Sequence, residues 1–460
     1  MSNELGDLGY RQQLHRGMSA FGSFAISFSV ISILTGAVSL YGYGLSLGGP
    51  IEMTVGWPLV ALMTTLVALP LAELASAYPT AGALYHWASL LGGPRLGYYT
   101  AWLNLVGQVG VVAGVDYALA DLLCTLFGLG GGRTVVLIVY ALVLCMHGGI
   151  NHIGMRWLAL CNNVSALWHV GGSLVVVGLL WLLAPHQPLS FLLTASSSPV
   201  EGHVYPIGYA CLIGLLQAQW TFTGYDASAH TAEETMDAPT AAPRGMLASV
   251  VSSAVVGWVL LLSLTLSVRD LPAAASGGFA YVVEHALGPA LGRLVMVIVA
   301  VAMWCCGLAS VTSNSRMLFA LARDGGVPAS ATVATVGTRY QTPHVAVWLC
   351  VATSFVLAVW GRAYSVIVAI STIGLYGSYA LPVIAAERAH RRGWRPTGPF
   401  TLSRPRLTRW VALAWIAVIT VLFVLPPNGR TGSTFGVLVL LLVVVDLAWA
   451  KKHFRGPPLA

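Results

Sequence analysis

Long apolar runs, separated by short polar connections, cover almost the whole chain of 460 residues. A hydrocarbon core of about 30 Å needs about 20 apolar residues in each helix that crosses it. Twelve runs are long enough, and we expect each to form a membrane-spanning helix. Their predicted limits are 22–46, 54–77, 96–126, 133–150, 157–184, 206–234, 246–268, 288–322, 344–361, 363–386, 409–427 and 433–450.

Two of these runs are interrupted by hydroxyl residues and glycine. Ser32, Thr35 and Gly36 interrupt the first run, and Thr223 and Gly224 interrupt the sixth. Interrupted helices at corresponding positions of two halves indicate a transporter with an inverted repeat. We therefore predict an all-α polytopic membrane protein with a five-plus-five inverted repeat, in which helices 1 and 6 are broken.

The two breaks predict the kind of solute that the protein holds. Irregular backbone at the middle of a membrane is tolerated only where it lines a cavity. A helix half that starts near Gly36 would direct free N–H groups and the positive end of its dipole at a carboxylate. A helix half that ends near Phe222 would present carbonyl oxygens to an ammonium group. This pair of helix ends suits a zwitterion.

The predicted helices divide the chain into five parts. The first is an N-terminal segment, the second a ten-helix transport core, the third a basic connection, the fourth the last two helices, and the fifth a C-terminal tail. Their predicted limits are 1–21, 22–386, 387–408, 409–450 and 451–460.

Charged residues make up only 8% of the chain, against about 25% in an ordinary soluble protein. Placing both termini in the cytoplasm puts all but five of the 23 lysines and arginines on that side, as expected for membrane proteins. The net charge of +7 is therefore a topology signal, and nucleic-acid binding would need a soluble basic domain. We expect a multi-pass protein of the cytoplasmic membrane, surrounded by lipid. The five exceptions are Arg133, Arg269, Arg293, Arg362 and Arg430.

The sequence contains no motif typical of an enzyme or of a metal or cofactor site. The seven cysteines all lie in apolar runs and lack the spacing of metal ligands. We find no H-E-x-x-H motif, no G-x-S-x-G motif with a partner histidine and no phosphate-binding loop. A channel is disfavoured because nothing resembles a selectivity filter. A sensor that binds a solute without transporting it remains possible from the sequence alone.

Several polar residues are candidates for contact with the solute. An ionisable residue at mid-membrane costs about 2.5 to 3.5 kcal/mol, so it indicates a function. Asp226 has two interpretations: it binds an amine or a proton, or it caps the second half of helix 6. Phe222 and Tyr225 flank the break and would either close over the solute or pack in the core. Asn104 and Gln108 lie one turn apart on helix 3, on a face that could line the substrate path.

Several segments resemble the amino acid/polyamine/organocation superfamily of permeases. The segments are AELASAYPTAGALYHW at 72–87 and SRMLFALARDGGVP at 315–328. Four further segments are similar to its branch of amino acid, GABA and choline permeases: SFSVISILTG, NNVSALWHVGG, GYDASAHTAEET and STIGLYGSYALP. The resemblance implies twelve helices, substrate held at the two breaks, and transport by alternating access. By position it implies substrate contact at Ser32, Thr35, Gly36, Phe222, Thr223, Gly224 and Asp226.

The coupling ion has two interpretations. In proton-coupled members of the superfamily, helix 5 resembles Asn-Asn followed by five residues and a lysine, and His169 stands at that spacing here. A histidine exchanges its proton near neutral pH, so we predict proton coupling through His169. The alternative role for His169 is a neutral ring hydrogen-bonded to a neighbouring helix. The competing coupling ion is sodium, held by oxygens at the first break and by Ser310 or Ser313 on helix 8.

The sequence thus predicts secondary active uptake of an amino acid or amino-acid-like amine, with GABA favoured by the branch resemblance. Choline, ethanolamine, a polyamine and amino acid exchange remain alternatives, and the protein is expected to be a monomer or a homodimer. We expect Glu73 to pair with a cation or cap a loop, and Asp446 to pack or to contact a second subunit. We expect most of the charge cluster around Glu233 and Glu234 to be solvated, and Asp116 is left unassigned.

Overall fold

A computed structural model of the chain describes residues 5–130, 132–200, 202–360 and 364–459, and Arg362 and the predicted helix limits at 361 and 363 lie outside them. The regular structure of the described residues is helical, apart from two isolated β-bridges. The α-helices are α1 (Ala20–Ile31), α2 (Ile33–Ser39), α3 (Tyr41–Leu47), α4 (Trp57–Ala77), α5 (Leu84–Gly92), α6 (Pro94–Phe127), α7 (Arg133–Ile153), α8 (Met155–Leu183), α9 (Ile207–Gly214), α10 (Leu216–Thr221), α11 (Ala227–His230), α12 (Ala238–Leu266), α13 (Leu271–Leu287), α14 (Pro289–Arg323), α15 (Ser330–Val333), α16 (His344–Trp360), α17 (Tyr364–Arg391), α18 (Pro405–Val424), α19 (Gly429–Val445) and α20 (Lys451–His453).

Nine helices of the described residues are long and apolar enough to cross a membrane. The predicted run 344–361 corresponds to α16, which is shorter than these nine helices. The predicted run 206–234 is divided among α9, α10 and α11, so none of its pieces is long enough alone. The nine candidate spans are Ala20–Ser39, Glu52–Ala77, Pro94–Phe127, Arg133–Ile153, Met155–Leu183, Ala238–Leu266, Pro289–Arg323, Pro405–Val424 and Gly429–His453.

The longest helices, α6 and α14, pack against each other in the interior of the bundle. Helix α17 packs along α6, and α12 packs along α4 and α1. Large apolar side chains remain exposed on the outer helices, including Leu142, Leu167, Val255 and Leu440. Apolar surface on this scale is rare on soluble monomers and suits a lipid environment.

The first break lies at Ser32, four residues before the position predicted from Gly36. Helix α1 ends at Ile31, and Ser32 has a φ of +42°, in the left-handed region. The prediction of a break at Gly36 is wrong, because Gly36 lies inside α2. A Cβ atom at Gly36 would lie only 2.6 Å from the side chain of Thr221. Gly36 therefore allows α2 and α10 to approach closely, and Ser32 interrupts the helix.

The second break lies where the sequence predicts it. Helix α10 ends at Thr221 and α11 begins at Ala227, so residues 222–226 separate them. Gly224 has a φ of +81°, which a residue with a side chain rarely adopts. A Cβ atom at Gly224 would also collide with Val30, the penultimate residue of α1. The two breaks therefore lie directly against each other.

Two buried acidic residues outside the breaks join parts of the bundle. Glu73 accepts a hydrogen bond from Arg409 Nη2 at 2.6 Å and another from the backbone N–H of Leu402 at 2.9 Å. Glu73 thus pairs with a cation and also accepts a hydrogen bond from a loop, as expected, and it links α18 to α4. Asp446 is buried and accepts hydrogen bonds from Arg95 at 2.6 Å and Tyr99 at 2.8 Å. Its carboxylate is therefore satisfied within the chain.

The acidic pair after α11 is also buried rather than solvated. Glu234 accepts two hydrogen bonds from Arg316 at 2.8 and 3.0 Å. Glu233 accepts two from Arg323 at 2.8 and 2.9 Å. Both arginines belong to α14, so these ion pairs fasten the segment after α11 to α14.

Candidate functional site

A narrow cavity lies between the two breaks. Its volume is about 10 Å³, which is close to the space that one water molecule needs. Three predicted site residues, Thr35, Gly36 and Thr223, line this cavity. The two breaks therefore pack closely against each other, and the cavity between them is too small for an amino acid. The remaining lining residues are Val30, Ile31, Val111, Val115, Trp220, Thr221 and Cys306.

His169 lies directly against the first break. Its Nε2 atom is 2.7 Å from Ser32 Oγ, and its Nδ1 atom is 2.8 Å from the carbonyl oxygen of Ser165. Because a carbonyl oxygen only accepts, Nδ1 carries a hydrogen, and in the neutral ring Nε2 accepts from the Ser32 hydroxyl. Ser32 Oγ is also 2.6 Å from Thr35 Oγ1. A chain of hydrogen bonds thus runs from α8 to the cavity wall.

A proton on His169 would reverse one bond in this chain. Protonated Nε2 would donate to Ser32 Oγ, and the hydroxyl hydrogen of Ser32 would then be free to reach Thr35. Thr35 lines the cavity, so the change would alter the hydrogen-bonding groups offered to a solute. The observed contacts match the arrangement of a neutral histidine bonded to a neighbouring helix, and its role in coupling stays a prediction.

Asp226 forms the centre of a buried side-chain network at the second break. Its carboxylate lies 2.7 Å from Tyr379 Oη, 3.2 Å from Asn104 Nδ2 and 3.2 Å from His230 Nε2. The side chain makes no hydrogen bond to the backbone of α11, so it does not cap that helix in this structure. Gln108 Nε2 donates to Asn104 Oδ1 at 2.5 Å. Asn104 and Gln108 therefore share a face, as predicted, and that face meets Asp226.

Two members of this network were not identified as site residues from the sequence. His230 stands four residues after Asp226, the spacing at which helical side chains meet, and its Nδ1 lies 3.1 Å from the carbonyl oxygen of Ala81. Tyr379 lies in the segment STIGLYGSYALP, and its hydroxyl also accepts the backbone N–H of Gly224 at 3.3 Å. A tyrosine in an apolar run gives no signal that it faces a carboxylate.

The two aromatic candidates at the break are fully buried. The Phe222 ring packs 4.7 Å from that of Trp57, as expected of a core residue. The Tyr225 ring packs 5.1 Å from that of Tyr379, and its hydroxyl has no hydrogen-bond partner among the described residues. Tyr225, the residue before Asp226, therefore carries a buried hydroxyl without a hydrogen-bond partner among the described residues.

The hydroxyls predicted for a sodium site lie on α14. Ser310 Oγ donates to the carbonyl oxygen of Cys306, one turn earlier in the same helix, at 2.8 Å. Ser313 is buried three residues further along. Within the part of the chain that the structure describes, no hydrogen bond joins either hydroxyl to His169 or to Ser32. The sodium arrangement therefore stays a prediction.

Comparisons with known proteins agree with the resemblance noted in the sequence. A family model described as amino acid permease matches residues 18–445. The amino-acid permease BAT1 of Arabidopsis thaliana is 37% identical over 493 residues, which cover 98% of this chain and 95% of the plant protein. Its homolog in Oryza sativa subsp. japonica is also 37% identical, over 98% of this chain and 94% of its own. The GABA-specific permease of Saccharomyces cerevisiae is 24% identical over 98% of this chain and 85% of its own.

Proposed function

Because the chain belongs to the amino acid permease family, we propose that it is a secondary active transporter that takes up an amino acid or amino-acid-like amine. The family consists of transporters and not of enzymes, as the sequence predicts. The observation that supports this mechanism best is the pair of helix breaks that meet at one narrow cavity. A small cavity between two interrupted helices suits alternating access, in which the helices move to admit the solute and to release it.

The proposed architecture has twelve membrane helices, with a five-plus-five inverted repeat and both termini in the cytoplasm. Nine candidate spans of the described residues support it. The three remaining crossings would be the broken unit α9–α11, the shorter α16, and α17. The excess of lysine and arginine on one side supports the orientation in the cytoplasmic membrane.

The proposed substrate carries an amine and in most cases a carboxylate. Asp226, the carboxylate of the second break, would attract the amine once movement of Tyr379 or Asn104 exposes it. The hydroxyls of Thr35 and Thr223 in the cavity would bond the carboxylate. A GABA-like substrate is the specific candidate, and the similarity to a relative named as a GABA-specific permease supports it.

The proposed driving force is a proton gradient that acts through His169. The ring contacts the residue that interrupts the first helix, so its protonation state bears directly on the break. Sodium coupling through Ser310 and Ser313 would require the Ser310 hydroxyl to turn away from the carbonyl oxygen of Cys306.

Ligand-dependent thermal stability of the purified protein tests the substrate class. A ligand present at 100 times its dissociation constant stabilises the native state by about 2.7 kcal/mol. We expect stabilisation by an amino acid or GABA, and weaker effects from choline, ethanolamine and polyamines. Stabilisation by choline or a polyamine alone would contradict the proposed substrate class.

Transport by protein reconstituted in liposomes tests the mechanism. We expect saturable uptake of the stabilising solute, stimulation by the same solute on the opposite side, and accumulation under an inside-alkaline pH gradient. Flux that does not saturate would indicate a channel, and binding without flux would indicate a sensor. Accumulation driven only by a sodium gradient would show that sodium, and not the proton, is the coupling ion.

A further inference from the structure

A second carboxylate–histidine pair is buried behind the cavity wall. His147 of α7 lies with its Nδ1 atom 3.0 Å from Asp116 Oδ2 of α6, and both side chains are fully inaccessible to solvent. The sequence left Asp116 unassigned and gave no reason to single out His147. Neither residue belongs to the networks of His169 and Asp226 described above.

The pair is incompletely satisfied by its surroundings. Asp116 Oδ1 and His147 Nε2 have no hydrogen-bond partner among the described residues. With a neutral histidine, the pair would carry a full negative charge and a single hydrogen bond between its members. A buried charge in this state is strongly unfavourable inside a membrane. One additional proton makes the pair neutral overall.

No fixed cation of the described residues supplies the missing positive charge. Arg316 of α14 forms an ion pair with Glu234 and also donates to the side chains of Asn151 and Ser315. Asn151 in turn donates to the backbone carbonyl of His147. The described ionisable side chains of α5, α8 and α17 form no hydrogen bond or ion pair with Asp116 or His147. The other titratable groups around the network are Tyr140 on α7, Cys306 on α14 and Cys350 on α16.

The pair is in direct contact with the helix that separates it from the first break. A Cβ atom at Gly307 of α14 would collide with Asp116 Oδ1 and would lie 2.7 Å from His147 Cε1, so the glycine makes room for the pair. The preceding residue, Cys306, lines the cavity and donates from Sγ to the carbonyl oxygen of Val30 at 3.3 Å. The pair therefore lies against a helix segment whose next side chain contacts α1 two residues before Ser32.

We propose that Asp116 and His147 form a second proton-binding site of the transport cycle, distinct from His169. The inference rests on the proposed transport function and adds a site to it. The proton binds at His147 Nε2, the unpartnered nitrogen, and gives an imidazolium–carboxylate ion pair that holds α6, α7 and α14 together. Loss of the same proton leaves an unneutralised carboxylate, which favours separation of α14 from α6 and entry of water.

The test compares Asp116→Asn with wild type in liposomes. Asp121→Asn is the matched control, because Asp121 is an exposed carboxylate on the same helix. We expect Asp116→Asn to lose accumulation driven by a pH gradient and to retain exchange of substrate across the membrane. Thermal unfolding of each variant checks that it is folded. The control should behave as wild type.

His147→Gln provides a second test if Asp116→Asn does not fold. The glutamine amide can still donate to Asp116 but cannot hold a proton, so pH-driven accumulation should again be lost while exchange persists. Unchanged pH-driven accumulation in either variant would overturn the proposal. If the variants instead lose accumulation driven by sodium, the pair binds sodium, and this result would also overturn the proposal.

The proposal can fail separately from the proposed function. Wild-type protein that accumulates no amino acid would refute the proposed function, whatever the variants do. The dependence of thermal stability on pH, measured without substrate, then tests the pair directly. Different profiles for wild type and Asp116→Asn would support proton binding, and identical profiles would refute it.

Discussion

At the scale of single residues, the second break is held by polar contacts that converge on one carboxylate. Asp226 accepts hydrogen bonds from Tyr379 of α17 and Asn104 of α6, and it lies beside His230 of α11. These contacts join three helices at the point where the backbone leaves helical conformation. A residue in this position both shapes the break and, when its partners move, offers a charge to a solute.

Replacing Asp226 with asparagine should destabilise the protein in the absence of substrate. The substitution places an amide N–H₂ group where at least one donor now points, and a buried donor left without an acceptor costs about 1 to 3 kcal/mol. Thermal unfolding of purified protein measures the effect. Asp121→Asn, which removes an exposed carboxylate, should leave the unfolding temperature unchanged. Equal unfolding temperatures for the two variants would show that the Asp226 network contributes little.

Replacing His169 with glutamine should abolish accumulation driven by a pH gradient and preserve exchange. Glutamine can hydrogen-bond Ser32, but it cannot gain the proton that reverses this bond. Uptake into liposomes with and without a pH gradient measures the change. His152→Gln is the matched control, since that histidine accepts from Trp348 near the surface. A pH dependence equal to wild type would remove His169 from the coupling mechanism.

At the scale of helices, the sequence predicts the second break at the correct place, but it predicts the first break four residues too late. A glycine in a membrane helix indicates either a break or a close contact between helices, and the sequence does not distinguish them. Gly224 lies in a helix break, whereas Gly36 lies inside α2 and packs against Thr221. The first break lies at Ser32, one of the residues that interrupt the first run, although residues with a side chain seldom adopt a positive φ.

The helix count and the buried pairs also depend on tertiary structure, which the sequence pattern does not specify. Hydropathy treats 206–234 as one span, but the structure divides it into three helices that are each too short to cross a membrane. The Asp116–His147 pair depends on how α6 and α7 face each other, and a lone histidine in an apolar run carries no such information. Glu73 was predictable because a membrane carboxylate needs a cation, but the sequence did not identify Arg409 as that cation.

The role of Gly36 can be tested by adding one methyl group. Gly36→Ala should destabilise the protein by about 1 to 3 kcal/mol, because α2 and α10 must separate to accept a Cβ that would lie 2.6 Å from Thr221. Gly171→Ala on α8 is the control, since a Cβ there meets open space. Thermal unfolding of both variants measures the difference. Equal stability would show that the contact between α2 and α10 yields without cost.

At the scale of the whole molecule, the N-terminal segment, residues 5–17, fastens one end of the bundle. The backbone N–H groups of Gly17 and Met18 donate to the carbonyl oxygen of Glu234, in the segment that follows α11. The Tyr10 hydroxyl donates to Asp324 Oδ2 at 2.8 Å, just beyond the end of α14. Arg323 lies 4.0 Å above the Tyr10 ring. The segment thus connects the residues after α11 to the end of α14, and its release would accompany opening at this end.

The charge of Asp324 makes this connection sensitive to acid. Burial raises the pKa of Asp324, but hydrogen bonds from His86 and Tyr85 and the charge of Arg323 outweigh it, so the pKa lies below its ordinary value. The stabilising effect of the carboxylate is therefore complete above the unfolded-state pKa of about 3.9. It is lost as the pH falls through the lower pKa of the folded state. Acid well below pH 4 should therefore loosen the N-terminal segment.

Asp324→Asn should loosen the N-terminal segment already at neutral pH. The amide keeps one acceptor oxygen for Tyr10 and Tyr85 but removes the negative charge that faces His86 and Arg323. Hydrogen exchange of residues 5–17, corrected for the intrinsic effect of pH, measures the opening. Asp270→Asn is the control, because Asp270 is exposed and caps α13 far along the chain. Exchange equal to wild type would show that the Tyr10 and Glu234 contacts hold the segment without the charge.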